Sequence, residues 1–139
     1  MTAKAAAIRI LLVDDDEGDV LLMREGLKAV ESPHALELAW DGDEALVRLR
    51  KKPTPDLIIL DLNLPKRNGR EVFAQVKADP ALAGIPLVVL TTSTSDQDLL
   101  KGHDARRCAY LTKPMRLQGY VALARRIERF WLEAGAKTA

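Results

Sequence analysis

Leu57-Ile58-Ile59-Leu60-Asp61-Leu62-Asn63-Leu64-Pro65-Lys66-Arg67-Asn68-Gly69 is the stretch whose reading decides the fold of this chain. Four consecutive apolar residues, Leu57 to Leu60, leave no polar face, which predicts a strand buried on both sides, as in a parallel sheet. The run stops on a carboxylate, Asp61. A loop with Pro65 and Asn68-Gly69 follows, and a helical pattern begins at once with Glu71, Val72, Phe73 and Val76. An acid at the carboxyl end of a buried parallel strand stands where open α/β sheets hold their ligands.

The strands to either side repeat this design. Ile8 to Val13, apolar except for Arg9, ends in Asp14-Asp15-Asp16, and Gly18-Asp19 opens a helix whose Val20, Met23, Leu27 and Val30 face the sheet. Ala35 to Trp40 alternates, with Leu36, Leu38 and Trp40 on one side and Glu37 on the other, which suits an edge strand. Asp41 and Glu44 have capping-box spacing ahead of a helix carrying Ala45, Leu46 and Leu49. Leu87 to Leu90 is a second fully apolar strand, ending in Thr91. Ser95 caps a short helix that Gly102, His103 and Asp104 cut off early, and Cys108 to Leu111 leads into Thr112-Lys113-Pro114. The last helix, from about Leu117 to Leu132, sets Leu117, Tyr120, Val121, Ala124, Ile127 and Trp131 on one face. Five strands alternating with five helices imply an α/β fold, a doubly wound parallel sheet of order 2-1-3-4-5 with right-handed crossovers. The expected organisation is a flexible N-terminus over 1–7, one domain over 8–132 and a tail over 133–139.

Composition narrows the function. The 139 residues are 47% hydrophobic, enough for one core, and 21 basic against 20 acidic residues leave a net charge of +1. That balance makes no case for nucleic acid or membrane surfaces. No apolar run spans a bilayer, and nothing at the start resembles a signal peptide. The single cysteine, Cys108, forms no internal disulfide and fits a reducing cytoplasm.

In the expected strand order Asp14, Asp15 and Asp61 converge on one rim, with Thr91 and Lys113 ending the next two strands there. Three carboxylates so close repel one another, and a hard divalent cation, Mg²⁺, offsets that best. Lys113 and Thr91 suit the equatorial oxygens of a phosphoryl group, and the Asp61 carboxylate suits the nucleophile that would accept it.

These pieces resemble the receiver domain of bacterial two-component response regulators, the family of the chemotaxis regulator. The matching residues are Leu12-Val13-Asp14-Asp15, Asp61 with Pro65 four residues on, Asn68-Gly69, Thr91, and Tyr110 with Lys113-Pro114. The resemblance implies a flavodoxin-like (βα)5 fold. It makes Asp61 the phosphoacceptor, Asp14, Asp15, Asp61 and the Asn63 backbone carbonyl the Mg²⁺ ligands, Thr91 and Tyr110 a switch pair, and Lys113 the phosphate-contacting lysine. It also implies a cis Lys113–Pro114 peptide. The Asn-Leu-Pro-Lys-Arg-Asn-Gly wording, the Leu-Thr-Thr-Ser strand end and Phe130-Trp131-Leu132 are similar to small phytochrome-associated response regulators. Arg106-Arg107 stands where many receivers have Gly-Ala, which shortens or frays the fourth helix.

The implied function is a stand-alone phosphoacceptor switch, not an enzyme beyond assisting its own phosphotransfer and dephosphorylation. Its expected partner is a histidine kinase, of bacteriophytochrome type, and its output runs through protein contacts. The alternative is a haloacid-dehalogenase-like phosphatase using Asp14 in Asp-x-Asp, but it leaves Asp61 and Asn68-Gly69 idle and lacks an acidic pair after the fourth strand. A nucleotide-binding module fails because the first turn is acidic where a pyrophosphate needs glycines and free N–H groups. Asp16 and Asp19 read as helix-capping or solvated acids, His34 and His103 as surface residues, and Cys108 as core. Leu123, Ile127 and Phe130 form a second stripe on the last helix, rimmed by Arg126 and Arg129. Left partly exposed, it predicts a homodimer through the last helix and fifth strand.

Overall fold

In the computed structural model, which describes residues 7–64, 68–92 and 97–135, five parallel strands line up in the order β2-β1-β3-β4-β5. The strands are β1 Ile8–Val13, β2 His34–Ala39, β3 Leu57–Asp61, β4 Leu87–Thr91 and β5 Cys108–Thr112, and the helices are α1 Glu17–Leu27, α2 Gly42–Leu49, α3 Gly69–Ala78 and α4 Leu117–Glu133. The apolar run of β3 lies at the sheet centre with Leu57 to Leu60 inaccessible to solvent. Because side chains alternate along a strand, that run feeds two cores. Leu57 and Ile59 join Ile10, Leu12 and the inner faces of α1 and α4, while Ile58 and Leu60 join Leu11, Val13 and the inner faces of α2 and α3.

Helix starts follow local chemistry. Asp16, Asp41 and Asn68 each accept a backbone N–H from the first turn of the helix they precede, at 3.0, 2.8 and 2.8 Å. Three glycines mark places where backbones touch. A Cβ on Gly26 would stand 2.5 Å from the Tyr120 carbonyl oxygen, so α1 lies against α4 with no side chain between them. A Cβ on Gly69 would stand 2.5 Å from Leu62 Cα, which packs the start of α3 against the chain just past Asp61. A Cβ on Gly119 would stand 2.5 Å from Pro114 Cβ, so the proline that follows Lys113 rests on the first turn of α4.

Several expectations are corrected here. Among the described residues four α-helices are present, not five: between β4 and β5 these residues hold a 3₁₀ turn, Gln97–Leu100, and Gly102 ends that region with φ +82°, a left-handed conformation that no continuing helix adopts. Ser95, Pro65, Lys66 and Arg67 lie outside the described residues. Strand β2 starts at His34 and stops before Trp40, which is exposed. The Lys113–Pro114 peptide is trans, the default that X-Pro bonds still favour, and the cis bond among the described residues is Lys52–Pro53. The inner face of α4 is Tyr120, Leu123, Ala124, Ile127 and Trp131, whereas Leu117 is exposed and Val121 half-buried. Leu123 and Ile127 are therefore buried against α1 rather than left at the surface, and of the stripe expected to drive homodimerisation through α4 and β5 only Phe130 stays partly exposed.

Candidate functional site

Alternation along the strands explains which side chains meet. Asp14 continues the row Ile8, Ile10 and Leu12, Asp61 the row Leu57 and Ile59, and Lys113 the row Ala109 and Leu111, all of which face α1 and α4. The three groups therefore emerge on one side, above the end of that core. Lys113 Nζ donates to Asp61 Oδ2 at 2.8 Å, to Asp14 Oδ2 at 3.1 Å and to Asp19 Oδ2 at 2.8 Å. The second oxygen of each strand-end acid is held by backbone: Asp16 N–H donates to Asp14 Oδ1 and Asn63 N–H to Asp61 Oδ1, both at 3.0 Å. Asp15 is exposed, yet carboxylate oxygens of Asp14, Asp15 and Asp61 lie within 4.8 Å of one another.

Electrostatics reflect this crowding. Burial raises the Asp14 carboxyl to about 6; the Asp16 N–H and Lys113 oppose the rise and Asp61 adds to it. Burial disfavours the Lys113 cation, but its bonds to Asp19 and Asp61 and the charge of Asp14 outweigh that and hold it protonated far above neutral pH. The donor set is all oxygen and the acids outnumber the lysine, so the residues fit a hard divalent cation. Asp14, Asp15 and Asp61 would hold it.

Thr91 is fully buried at the end of β4, and its backbone carbonyl accepts the Lys113 N–H at 2.9 Å. By alternation it shares the opposite sheet face with Tyr110, which is half-buried against the second core beside Leu99 and Leu100. Two residues escaped the sequence reading as site components. Asp19 is no mere solvated acid, since it holds Lys113, and its place one turn into α1, five residues past Asp14, was the available signal. Tyr120 fills the core with its ring, but its hydroxyl is buried without a hydrogen bond of good geometry. Burial pushes that phenol up to about 12, helped by Asp19 and Asp14 and opposed by Lys113, so the hydroxyl borders the acid pocket. Asp16 caps α1 as expected, and His34 opens β2 with its ring 6.1 Å from that of Trp131.

A wound α/β sheet with acids on two adjacent strand ends and a lysine on a third defines a receiver. The model of the response regulator receiver domain matches residues 10–125, and the chain belongs to that family. It is 42% identical over 130 residues to the response regulator Rcp1 of Synechocystis sp., covering 89% of this chain and 88% of Rcp1. Among solved structures it resembles the phosphorylated cyanobacterial phytochrome response regulator RcpA (TM-score 0.79, 40% identity, 91% of this chain and 95% of RcpA). It also resembles the Mn²⁺-bound form of Rcp1 (TM-score 0.78, 42% identity, 91% of this chain and 95% of that one). The haloacid-dehalogenase alternative finds no support: the match is to the receiver family, and Asp61 and Gly69, idle in that scheme, are built into the site. No helix among the described residues is long and apolar enough to cross a membrane.

Proposed function

We propose that Asp61 accepts a phosphoryl group from a phosphohistidine of a histidine kinase, with Mg²⁺ held by Asp14, Asp15, Asp61 and the Asn63 carbonyl. The observation that carries this is the Asp61 carboxylate itself, fixed at both oxygens by Lys113 and by Asn63 N–H at the rim where three acids meet. A carboxylate oxygen of Asp61 attacks phosphorus, the P–N bond breaks as the P–O bond forms, and the imidazole nitrogen keeps the bonding pair and takes a proton from solvent. The ammonium of Lys113 is already within reach of Asp61, so it meets the phosphoryl oxygens with little rearrangement. Mg²⁺ supplies further positive charge to those oxygens when bound. Thr91 hydroxyl drawn to the phosphoryl group, with Tyr110 turning in behind it, is the route to the output surface. Later hydrolysis returns the free carboxylate and inorganic phosphate, so the domain turns over nothing but its own phosphoryl group.

The Mn²⁺-bound form of Rcp1 and the phosphorylated form of RcpA support this reading of the pocket, and the phytochrome association of RcpA supports a kinase of bacteriophytochrome type. Near-neutral net charge supports protein partners over nucleic acid or membrane, in a cytoplasmic setting. A homodimer through α4 and β5 now rests on less surface: the free edge of β5, with Met115 95% and Leu117 46% exposed beside it. The test of the central claim is phosphotransfer from a panel of kinases that includes a phytochrome. Acid-stable, hydroxylamine-labile label is expected on the wild type and none on Asp61→Asn, which keeps shape and loses the nucleophile. Label that persists in Asp61→Asn and vanishes in Asp14→Asn would overturn it.

A further inference from the structure

Lys113 is shared among three carboxylates, and one of them, Asp19, belongs to neither strand end. It sits on the first turn of α1 with its side chain 31% exposed, close to the buried Tyr120 hydroxyl on α4. Tyr120 is 1% exposed, and its hydroxyl, although Asp19 is near, makes no hydrogen bond of good geometry, a costly state for a buried polar group. The two groups are complementary in their needs. Asp19 spends an acceptor on Lys113, and the Tyr120 donor beside it is left without a well-formed bond.

We propose that Asp19 and Tyr120 are positioning residues for Lys113: Asp19 shares the lysine with Asp61 and Asp14 while Asp61 is unphosphorylated, and the Tyr120 hydroxyl takes over Asp19 when the lysine turns wholly to the phosphoryl oxygens. The exchange leaves each group with one partner in the phosphorylated form, where Lys113 no longer divides itself among three acids. It therefore favours the phosphorylated form by one hydrogen bond that the resting form lacks. No new covalent step is involved. The proposal rests on the assignment of Asp61 above.

Tyr120→Phe tests it with little risk to folding, because the ring stays and only an unsatisfied hydroxyl is removed, so the unphosphorylated variant keeps or raises its melting temperature. The probe is beryllium fluoride with saturating Mg²⁺, a phosphoryl mimic whose binding is followed by ¹⁹F NMR. Tyr120→Phe weakens its binding by about 2–10-fold, the worth of one ordinary hydrogen bond. In an Asp19→Ala background, where no acceptor remains, the same substitution changes nothing. A merely structural role for Tyr120 gives the same loss in both backgrounds, and that result, or no loss in either, overturns the handover while leaving the Asp61 assignment standing. A wild type that binds no beryllium fluoride overturns the assignment and the handover together.

Discussion

Metal-free protein should become less stable as pH rises from about 4 to about 6, and the cause is a single acid. Asp14 is 3% exposed, and burial raises its carboxyl from 3.8 to about 6. Below pH 3.8 it is protonated in folded and unfolded chains alike, and its contribution is at its most favourable. Between the two values the unfolded chain gives up the proton and the folded chain keeps it, so stability falls. Above 6 both are ionised, and a constant penalty of about 3 kcal/mol remains, at about 1.4 kcal/mol for each pH unit. Glu37, whose carboxyl Arg48 holds low through a hydrogen bond, works in the opposite direction, but it is present in every variant and cancels in a difference. The measurement is urea unfolding at a series of pH values in EDTA, wild type against Asp14→Asn, with the buried Trp131 as reporter. The wild type should lose about 3 kcal/mol relative to the variant between pH 4 and 7. Mg²⁺ should restore much of it at pH 7 and almost nothing at pH 4, where a proton already neutralises the site. Parallel profiles for the two proteins, or equal stabilisation by Mg²⁺ at both ends, would refute the reasoning.

Asp15→Asn should weaken Mg²⁺ binding at least tenfold, since it removes a full charge from a site with few protein ligands, and calorimetry would show it. Gly26→Ala should destabilise the fold by about 2–4 kcal/mol, because its Cβ meets rigid backbone of α4 at 2.5 Å; a melting temperature equal to the wild type would count against the tight α1–α4 packing.

Strand positions were legible because buried parallel strands are written as uninterrupted apolar runs, and Leu57–Leu60 and Leu87–Leu90 admit few other readings. The acids and lysine at their ends were legible for the same reason: a polar residue closing such a run has only the rim to occupy. The fourth helix was harder. Its weakness was visible in Gly102, but a 3₁₀ turn in its place depends on what covers Leu99 and Leu100. The face of α4 was misjudged because two stripes fit a 3.6-residue period, and the choice between them is made by α1. Gly26 lets α1 approach closely enough to bury Leu123 and Ile127, a tertiary fact with no trace in the helix itself. Asp19 follows Asp14 by only five residues, but Tyr120 lies 101 positions further on, and it is the packing of α1 on α4 that brings the two together.

The seat of Pro114 on Gly119 also constrains how this chain can diverge. Met115, Arg116 and Gln118 stand in solvent and are open to almost any residue. Gly119 is not open: any side chain would drive into a rigid proline ring whose neighbour, Lys113, holds the pocket. Variation in this loop is therefore confined to its middle, between two fixed points. A lineage whose loop varied would rewrite positions 115, 116 and 118 and leave the anchor and the lysine as they are.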